Sequence, residues 1–140
     1  MEIKLKSSDE LLSMPPDCYM NAEQLAFFER LLLSMREDSA QLIEQIKQQI
    51  ASVGSEIDMF DQAMLEEENR QRMRLADRHR RMLAKIDSAL SRIRCGTYGY
   101  CVHSGHEIGL PRLLARPVAE LSVEEKSRQE MRERNYSHQR

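Results

Sequence analysis

The chain has 140 residues, of which 31% are charged and only 5% aromatic, and it contains no Trp. This composition is typical of a helix-rich, water-exposed protein with little material for a thick core. A net charge of -2 argues against a general affinity for nucleic acid, which needs a clustered excess of Lys and Arg.

The chain shows neither a membrane segment nor a disulfide framework. No apolar run approaches the roughly 20 residues that span a bilayer, and the first residues do not resemble a secretion signal. Cys18, Cys95 and Cys101 are an odd number of cysteines without a paired spacing, so we expect free thiols in a reducing cytoplasm.

Residues 1–18 end shortly after two consecutive prolines, Pro15 and Pro16. A proline inside a helix removes a hydrogen bond and clashes with the preceding turn. We therefore predict a mostly loose N-terminal lead segment.

The first long helix is predicted from Ala22 to Val53, a stretch without Gly or Pro. Asn21 and Gln24 have the spacing of an N-cap and its reciprocal partner. Apolar residues alternate at intervals of three and four, which is typical of a coiled-coil seam with Ser39 as its one weak step. The apolar positions are Leu25, Phe28, Leu32, Met35, Leu42, Ile46, Ile50 and Val53.

A second uninterrupted stretch runs from about Gln62 to Arg94, after a break at Gly54-Ser55. Two long helices joined by a short break most simply form an antiparallel hairpin, here over residues 19–94 with its tip near 54–63. Each helix would be roughly 45–50 Å long. The alternative is a bundle whose further helices come from a second copy. The seam of the second helix is clearest in Leu83, Ile86, Leu90 and Ile93.

Beyond Arg94, Gly and other turn-forming residues interrupt the helical pattern. We predict a small globular region over residues 95–121. Ser122 and Glu125 then have the spacing of a capping box that begins a C-terminal helix within residues 122–140. The predicted fold class is therefore mainly all-α.

Two acidic residues, Asp58 and Asp61, lie in the predicted tip. Carboxylates three positions apart share a face of a helical turn, where they can bind a divalent cation, act as acid and base, or present negative charge to a partner. A helix cap at Asp58 is an equally good explanation of the spacing. The adjacent Met59-Phe60 favours contact with a partner, because exposed apolar residues at a tip otherwise have no evident use.

The region after the second helix contains Cys101, His103 and His106. A structural zinc site needs four ligands, typically as two spaced pairs, and Ser104 stands where the partner of Cys101 would be. An irregular site that adds Cys95 competes with a buried thiol and two surface imidazoles, and we favour the latter. No nucleophile has a recognisable base and third group, so we expect no enzyme activity.

Basic residues recur on and after the second helix. A solvated helix face is the usual explanation, unless Lys85, Arg116 and Lys126 converge, in which case they suit a polyphosphate. The basic set consists of Arg74, Arg78, Arg80, Arg81, Lys85, Arg112, Arg116 and Lys126.

These motifs together resemble the DksA-type regulators of bacterial RNA polymerase, in the DksA/TraR family. The resemblance covers about residues 17–133, and its tip motif separates DksA-type members from other coiled-coil factors. The motifs that carry it are Tyr19-Met-Asn-Ala-Glu-Gln-Leu25, Asp58-x-x-Asp61-x-Ala63, Tyr98-Gly-Tyr-Cys101, Glu107-Ile-Gly109 and Arg112-Leu-Leu-Ala-Arg-Pro117.

The resemblance implies a hairpin that enters the secondary channel of the polymerase and perturbs open promoter complexes. The functional tip would be Asp58, Asp61 and Ala63, with Arg74 and Arg78 facing the polymerase rim. The alarmone ppGpp would bind at the interface with polymerase, in the stringent response. The matching effector positions are Met82, Lys85, Arg116 and Lys126.

We also expect a cytoplasmic monomer without a cofactor of its own, without membrane attachment and without sequence-specific DNA binding. Two other functions stay open. One is a Gre-like transcript cleavage factor whose acidic tip helps hold a catalytic Mg²⁺, and the other is a coiled-coil adaptor unrelated to transcription.

The sequence departs from the resemblance at the zinc finger, which usually has four cysteines. The corresponding positions here are Cys101, Ser104, Ser122 and Glu125. Losing zinc removes roughly 10 kcal/mol or more of metal-linked folding free energy, whereas a helix cap contributes about 1 kcal/mol. We therefore expect a zinc-independent regulator whose globular region is held by packing of Ile108, Leu110, Leu113, Leu114, Val118 and Leu121.

Overall fold

The computed structural model describes residues 7–52 and 59–138, and the chain divides into two compact units. The hairpin unit is Leu33–Asp87, and the terminal unit combines Met1–Leu32 with Ser88–Arg140. The described helices are α1 (Ser8–Leu12), a 3-10 helix (Pro16–Cys18), α2 (Ala22–Ala51), α3 (Met59–Cys95), α4 (Leu110–Ala115) and α5 (Val123–His138).

The predicted all-α architecture is confirmed over the described residues, which contain no strand beyond an isolated bridge between Tyr100 and Glu107. The two long helices match their predicted stretches to within a few residues. None of the described helices is both long and apolar enough to cross a membrane.

The start of α2 is fixed by the predicted capping residues. The Gln24 N–H donates to Asn21 Oδ1 at 2.9 Å, so the N-cap is confirmed. The Gln24 side chain accepts in return from the N–H of Met20 at 2.8 Å, one residue before the cap. Met20 has a φ of 54°, a left-handed conformation in which the chain turns into the helix.

The parts of α2 and α3 that belong to the hairpin unit lie side by side and run antiparallel. Arg36 pairs with Asp87 at 2.9 Å, and further along, the Ser39 hydroxyl is 3.3 Å from His79 Nδ1. Ser39, the one polar residue in the predicted apolar seam, is only 7% exposed, so it forms a buried polar layer between the two helices. The other buried seam residues of this unit are Ile43, Ile46, Ala76 and Ile86.

The terminal unit has a core built from segments far apart in the sequence. Phe28 and Tyr98 contact each other with ring centroids 5.5 Å apart. α1 packs against α4, and Leu11 of α1 is completely buried. The prediction of a mostly loose lead segment is therefore wrong from Ser7 onward, because burial of one apolar side chain anchors a short capped helix.

Candidate functional site

The predicted tip is described only in part. Asp58 lies outside the described residues, so neither its capping role nor its pairing with Asp61 is tested. Asp61 and Ala63 are exposed in the first turns of α3, where a carboxylate interacts favourably with the helix dipole. Met59 is 88% exposed, as expected for an apolar contact residue at the tip.

Arg74 and Arg78 are exposed one turn apart on α3, within the hairpin unit. They line a shallow depression together with Gln71, Leu75, Asp77 and Arg81. Arg74 lies 3.6 Å from Glu67, which is held more closely by Arg70 at 2.9 Å. Arg78 forms no ion pair with any carboxylate of the described residues, so its charge is available to a partner.

The four predicted effector positions are divided between the two units. Met82 is half-buried and Lys85 exposed on α3 of the hairpin unit, whereas Arg116 and Lys126 belong to the terminal unit. The convergence of the three cations therefore stays a prediction.

Within the terminal unit, Arg116 directly follows α4 and Lys126 lies in the first turn of α5. The N–H of Arg116 donates to the Arg112 carbonyl at 2.8 Å, and the Arg116 side chain is exposed just after α4. The N–H of Lys126 donates to the Ser122 carbonyl at 2.9 Å in the first turn of α5, with its side chain half-buried. Neither side chain forms an ion pair with a carboxylate of the described residues.

Of the two reciprocal hydrogen bonds of the predicted capping box, the one accepted by the Ser122 side chain is confirmed. The Glu125 N–H donates to the Ser122 hydroxyl oxygen at 3.3 Å. The buried Glu125 carboxylate accepts from Arg128 Nη1 at 2.7 Å, so it is engaged along α5. The cap thus forms through Ser122, while Glu125 is held by an ion pair.

Cys101 is buried and surrounded by hydrogen-bond donors. Burial raises the pKa of its thiol, but hydrogen bonds from the Ser104 hydroxyl and from the backbone N–H groups of Ser104, Ser122 and His103 outweigh burial and lower it to about 6. Neutral donors from the turn and from the start of α5 therefore favour the charged form of the sulfur.

The residues at the four positions that the family resemblance aligns with zinc ligands do not fit a structural zinc ion. These former zinc positions, Cys101, Ser104, Ser122 and Glu125, offer one thiol, two hydroxyls and one carboxylate, and both the Ser122 oxygen and the Glu125 carboxylate already have partners. Across residues 7–52 and 59–138, no three His, Cys, Asp or Glu side chains are grouped so as to hold a metal ion, including the His103 and His106 considered above.

Tyr19, near the start of the sequence, binds both ends of the turn region between Gly99 and Gly109. Its hydroxyl donates to the Gly99 carbonyl at 2.5 Å and accepts from the Gly109 N–H at 2.9 Å. Gly99 has a φ of 91°, and a Cβ there would lie 2.7 Å from Met20 Cγ, so only glycine fits. The motifs contained both residues, but nothing in the sequence indicated a contact across 80 positions.

The chain is similar to known transcription factors over most of its length. The family profile described as DnaK suppressor protein DksA, N-terminal domain, matches residues 24–93. The RNA polymerase-binding transcription factor DksA of Caulobacter vibrioides is 38% identical over 120 residues, 83% of this chain and 82% of that protein. Its counterpart in Escherichia coli K12 is 36% identical over 124 residues, 86% and 80% of the two chains.

Solved structures agree with this likeness. The transcription factor DksA2 from Pseudomonas aeruginosa superposes with a TM-score of 0.83 at 41% identity, covering 91% of this chain and 99% of that one. A transcriptional regulator from Chlamydia trachomatis gives a TM-score of 0.50 at 24% identity, covering 80% and 93%, which supports the fold alone.

Proposed function

Because this chain belongs to the DksA family, we propose that it regulates transcription by binding bacterial RNA polymerase. The observation that carries the proposal is its likeness, over most of its length, to proteins named RNA polymerase-binding transcription factor DksA. In this proposal the protein works in the cytoplasm as a monomer, has no catalytic activity of its own and does not recognise a DNA sequence.

The tip of the hairpin unit is proposed to act inside the secondary channel, near the polymerase's catalytic centre. Asp58, Asp61 and Ala63 would destabilise open promoter complexes, and the exposed Met59 suits contact with a partner. The carboxylates of the tip would change the electrostatic environment of the polymerase's catalytic metal and of the bound nucleic acid. The tip itself would undergo no reaction. The exposed Arg74 and Arg78 are proposed to bind acidic groups on the rim of the channel.

The effector is proposed to be ppGpp, bound between this protein and the polymerase. Lys85, Arg116 and Lys126 supply cations without a competing ion pair among the described residues, and Met82 supplies an apolar contact. Lys and Arg side chains that converge on one ligand recognise polyphosphates.

The experiment that tests the function is in vitro transcription from a ribosomal RNA promoter with and without ppGpp. We expect the wild type to inhibit and ppGpp to strengthen the inhibition. Asp61→Asn should reduce inhibition about tenfold, equivalent to about 1.4 kcal/mol, while polymerase binding is retained. Glu66→Gln is the matched control, because it removes another exposed carboxylate from the next turn of α3.

The outcomes separate the alternatives. Full inhibition by Asp61→Asn would contradict the tip mechanism. RNA shortening in backtracked complexes, lost in both Asp58→Ala and Asp61→Ala, would instead favour a cleavage factor. Failure to bind polymerase at all would favour the adaptor.

We also propose that the protein folds and acts without zinc. The proposal is supported by the donor set at the four former zinc positions, two members of which are already engaged. We expect native mass spectrometry to give the mass of the metal-free chain, and a zinc-selective chelator to leave inhibition unchanged. One tightly bound zinc per chain would contradict this proposal, and a four-cysteine relative serves as the positive control.

A further inference from the structure

Near the end of α3, Arg92 is enclosed by the segment that follows α4. Its side chain is only 13% exposed, and its Nη1 donates to the Glu120 carboxylate and to the Ser88 hydroxyl, both at 2.9 Å. The Ser88 hydroxyl donates to the same carboxylate at 3.3 Å. Arg92 Nη2 is buried without a hydrogen-bond partner among the described residues. A partly unsatisfied buried guanidinium is a poor source of stability but fixes geometry.

Arg92 is one of several groups that hold residues 116–122. The Tyr98 hydroxyl donates to the Pro117 carbonyl at 2.7 Å, and the Val102 N–H donates to the Glu120 carbonyl at 2.9 Å. The Tyr98 N–H also donates to the Arg92 carbonyl at 3.2 Å, so the backbones of the two residues are in contact. The buried residues of this segment are Pro117, Val118, Ala119 and Ser122.

Glu120 therefore connects three parts of the terminal unit. Its carboxylate is bound to the end of α3 through Arg92, and its carbonyl is bound to the turn that follows Cys101 through Val102. The segment itself leads into α5. The turn, the end of α3 and the segment that leads into α5 are thus tied together by protein groups.

The same segment links two of the proposed effector contacts. Arg116 stands at its beginning, and Lys126 lies in the first turn of α5 that follows its end. The conformation of residues 116–122 therefore sets the separation of two cations that have to meet one polyphosphate.

We propose that Arg92 is a positioning residue for the effector response: by holding Glu120 it fixes the segment that places Arg116 and Lys126. The proposal rests on the proposed function, because it assigns the two cations to ppGpp. Arg92 itself does not touch the effector in this proposal. Its loss should weaken the response to ppGpp while leaving the inhibition that occurs without ppGpp.

The test compares Arg92→Gln, Glu120→Gln and Arg92→Lys with wild type in the ribosomal promoter assay. Arg94→Gln is the matched control, because Arg94 is exposed two residues further along α3 and has no ion pair among the described residues. For Arg92→Gln we expect the half-effective ppGpp concentration to rise at least about fivefold, the lower end of typical coupling effects. Inhibition without ppGpp should stay within about twofold, and Arg92→Lys should restore part of the response.

Amide hydrogen exchange of the Val102 N–H supplies a readout that does not depend on polymerase. We expect its protection to fall in Arg92→Gln and to be unchanged in Arg94→Gln. An unchanged ppGpp response in Arg92→Gln and Glu120→Gln overturns the inference, as does an equal loss of inhibition with and without ppGpp. If ppGpp does not change inhibition by the wild type, the proposed effector is wrong, and the positioning role of Arg92 is then wrong as well.

Discussion

The hairpin unit and the terminal unit owe their stability to different kinds of interaction. The hairpin unit has a repeating apolar seam with one polar layer, formed by Ser39 and His79, and its ion pairs are exposed. The terminal unit depends on particular long-range hydrogen bonds, such as those of Tyr19 and Tyr98. The hairpin surface is thus free to carry contact residues, whereas single substitutions in the terminal unit disturb a connected set of bonds.

This difference also bears on the proposal that the terminal unit folds without a metal. A zinc ion ties separate segments together at one point. Here Tyr19 ties both ends of the turn region, and Glu120 connects the turn to α3. Several bonds, each of about 0.5–1.5 kcal/mol, add to the burial of Leu11, Phe28 and Leu113.

Among the substitutions that test this difference between the units, Tyr19→Phe in the terminal unit is expected to reduce stability most. The ring is retained, but the Gly109 N–H loses its acceptor and the Gly99 carbonyl loses one of two donors. Leaving such a group unsatisfied costs about 1–3 kcal/mol. We expect the free energy of unfolding, measured by urea denaturation, to fall by that amount, and the Gly109 amide to lose its protection from hydrogen exchange.

Tyr100→Phe is the matched control for this substitution. Tyr100 contacts the Tyr19 ring edge-to-face at a centroid distance of 5.6 Å, yet its hydroxyl makes no hydrogen bond with the described residues. Removing it should change stability by less than about 0.5 kcal/mol. Equal losses in the two variants would show that the hydroxyl of Tyr19 does not tie the turn.

The hairpin unit was predictable from sequence because its structure follows from local periodicity. Gly- and Pro-free stretches and three-and-four spacing were enough to predict α2 and α3 closely. The Asn21 cap, although it belongs to the terminal unit, was predictable for the same reason, since its donor is only three residues away. Ser39 was recognised as a weak step, but its partner His79 lies on the other helix and has no local signal.

The terminal unit was predictable only in outline. The C-terminal helix and its Ser122 cap are local features and were found. The burial of Leu11 was missed, because the two prolines after it suggested a loose segment and its contact with α4 is remote in sequence. Arg92 was missed as well, since its partner Glu120 lies 28 positions away.

The candidate contact residues were predicted from motifs, and the structure describes them unevenly. Asp61, Arg74 and Arg78 are exposed on α3, as contact residues have to be. Asp58 falls outside the described residues. The separation of Lys85 from Arg116 and Lys126 into two units leaves their convergence as a prediction that ppGpp binding has to test.

The smallest effect is expected from an ion pair of the hairpin unit, Arg36 with Asp87. Its geometry resembles that of Arg92 with Glu120, since both pairs have a nitrogen–oxygen distance of 2.9 Å. The environments differ at the arginine, because the side chains of Arg36 and Asp87 are 53% and 55% exposed, whereas those of Arg92 and Glu120 are 13% and 46% exposed. Exposed pairs contribute about 0.2–1 kcal/mol and are screened by salt.

A double-mutant cycle on each pair measures the coupling energy between its two side chains and so tests this difference. With Arg36→Gln and Asp87→Asn, we expect a coupling energy below about 1 kcal/mol, which disappears at high salt. With Arg92→Gln and Glu120→Gln, the coupling should be larger and should persist in part at high salt, because the Arg92 guanidinium is less accessible to counterions. Equal coupling energies would mean that the enclosed Arg92 contributes no more to the terminal unit than an exposed ion pair contributes to the hairpin unit.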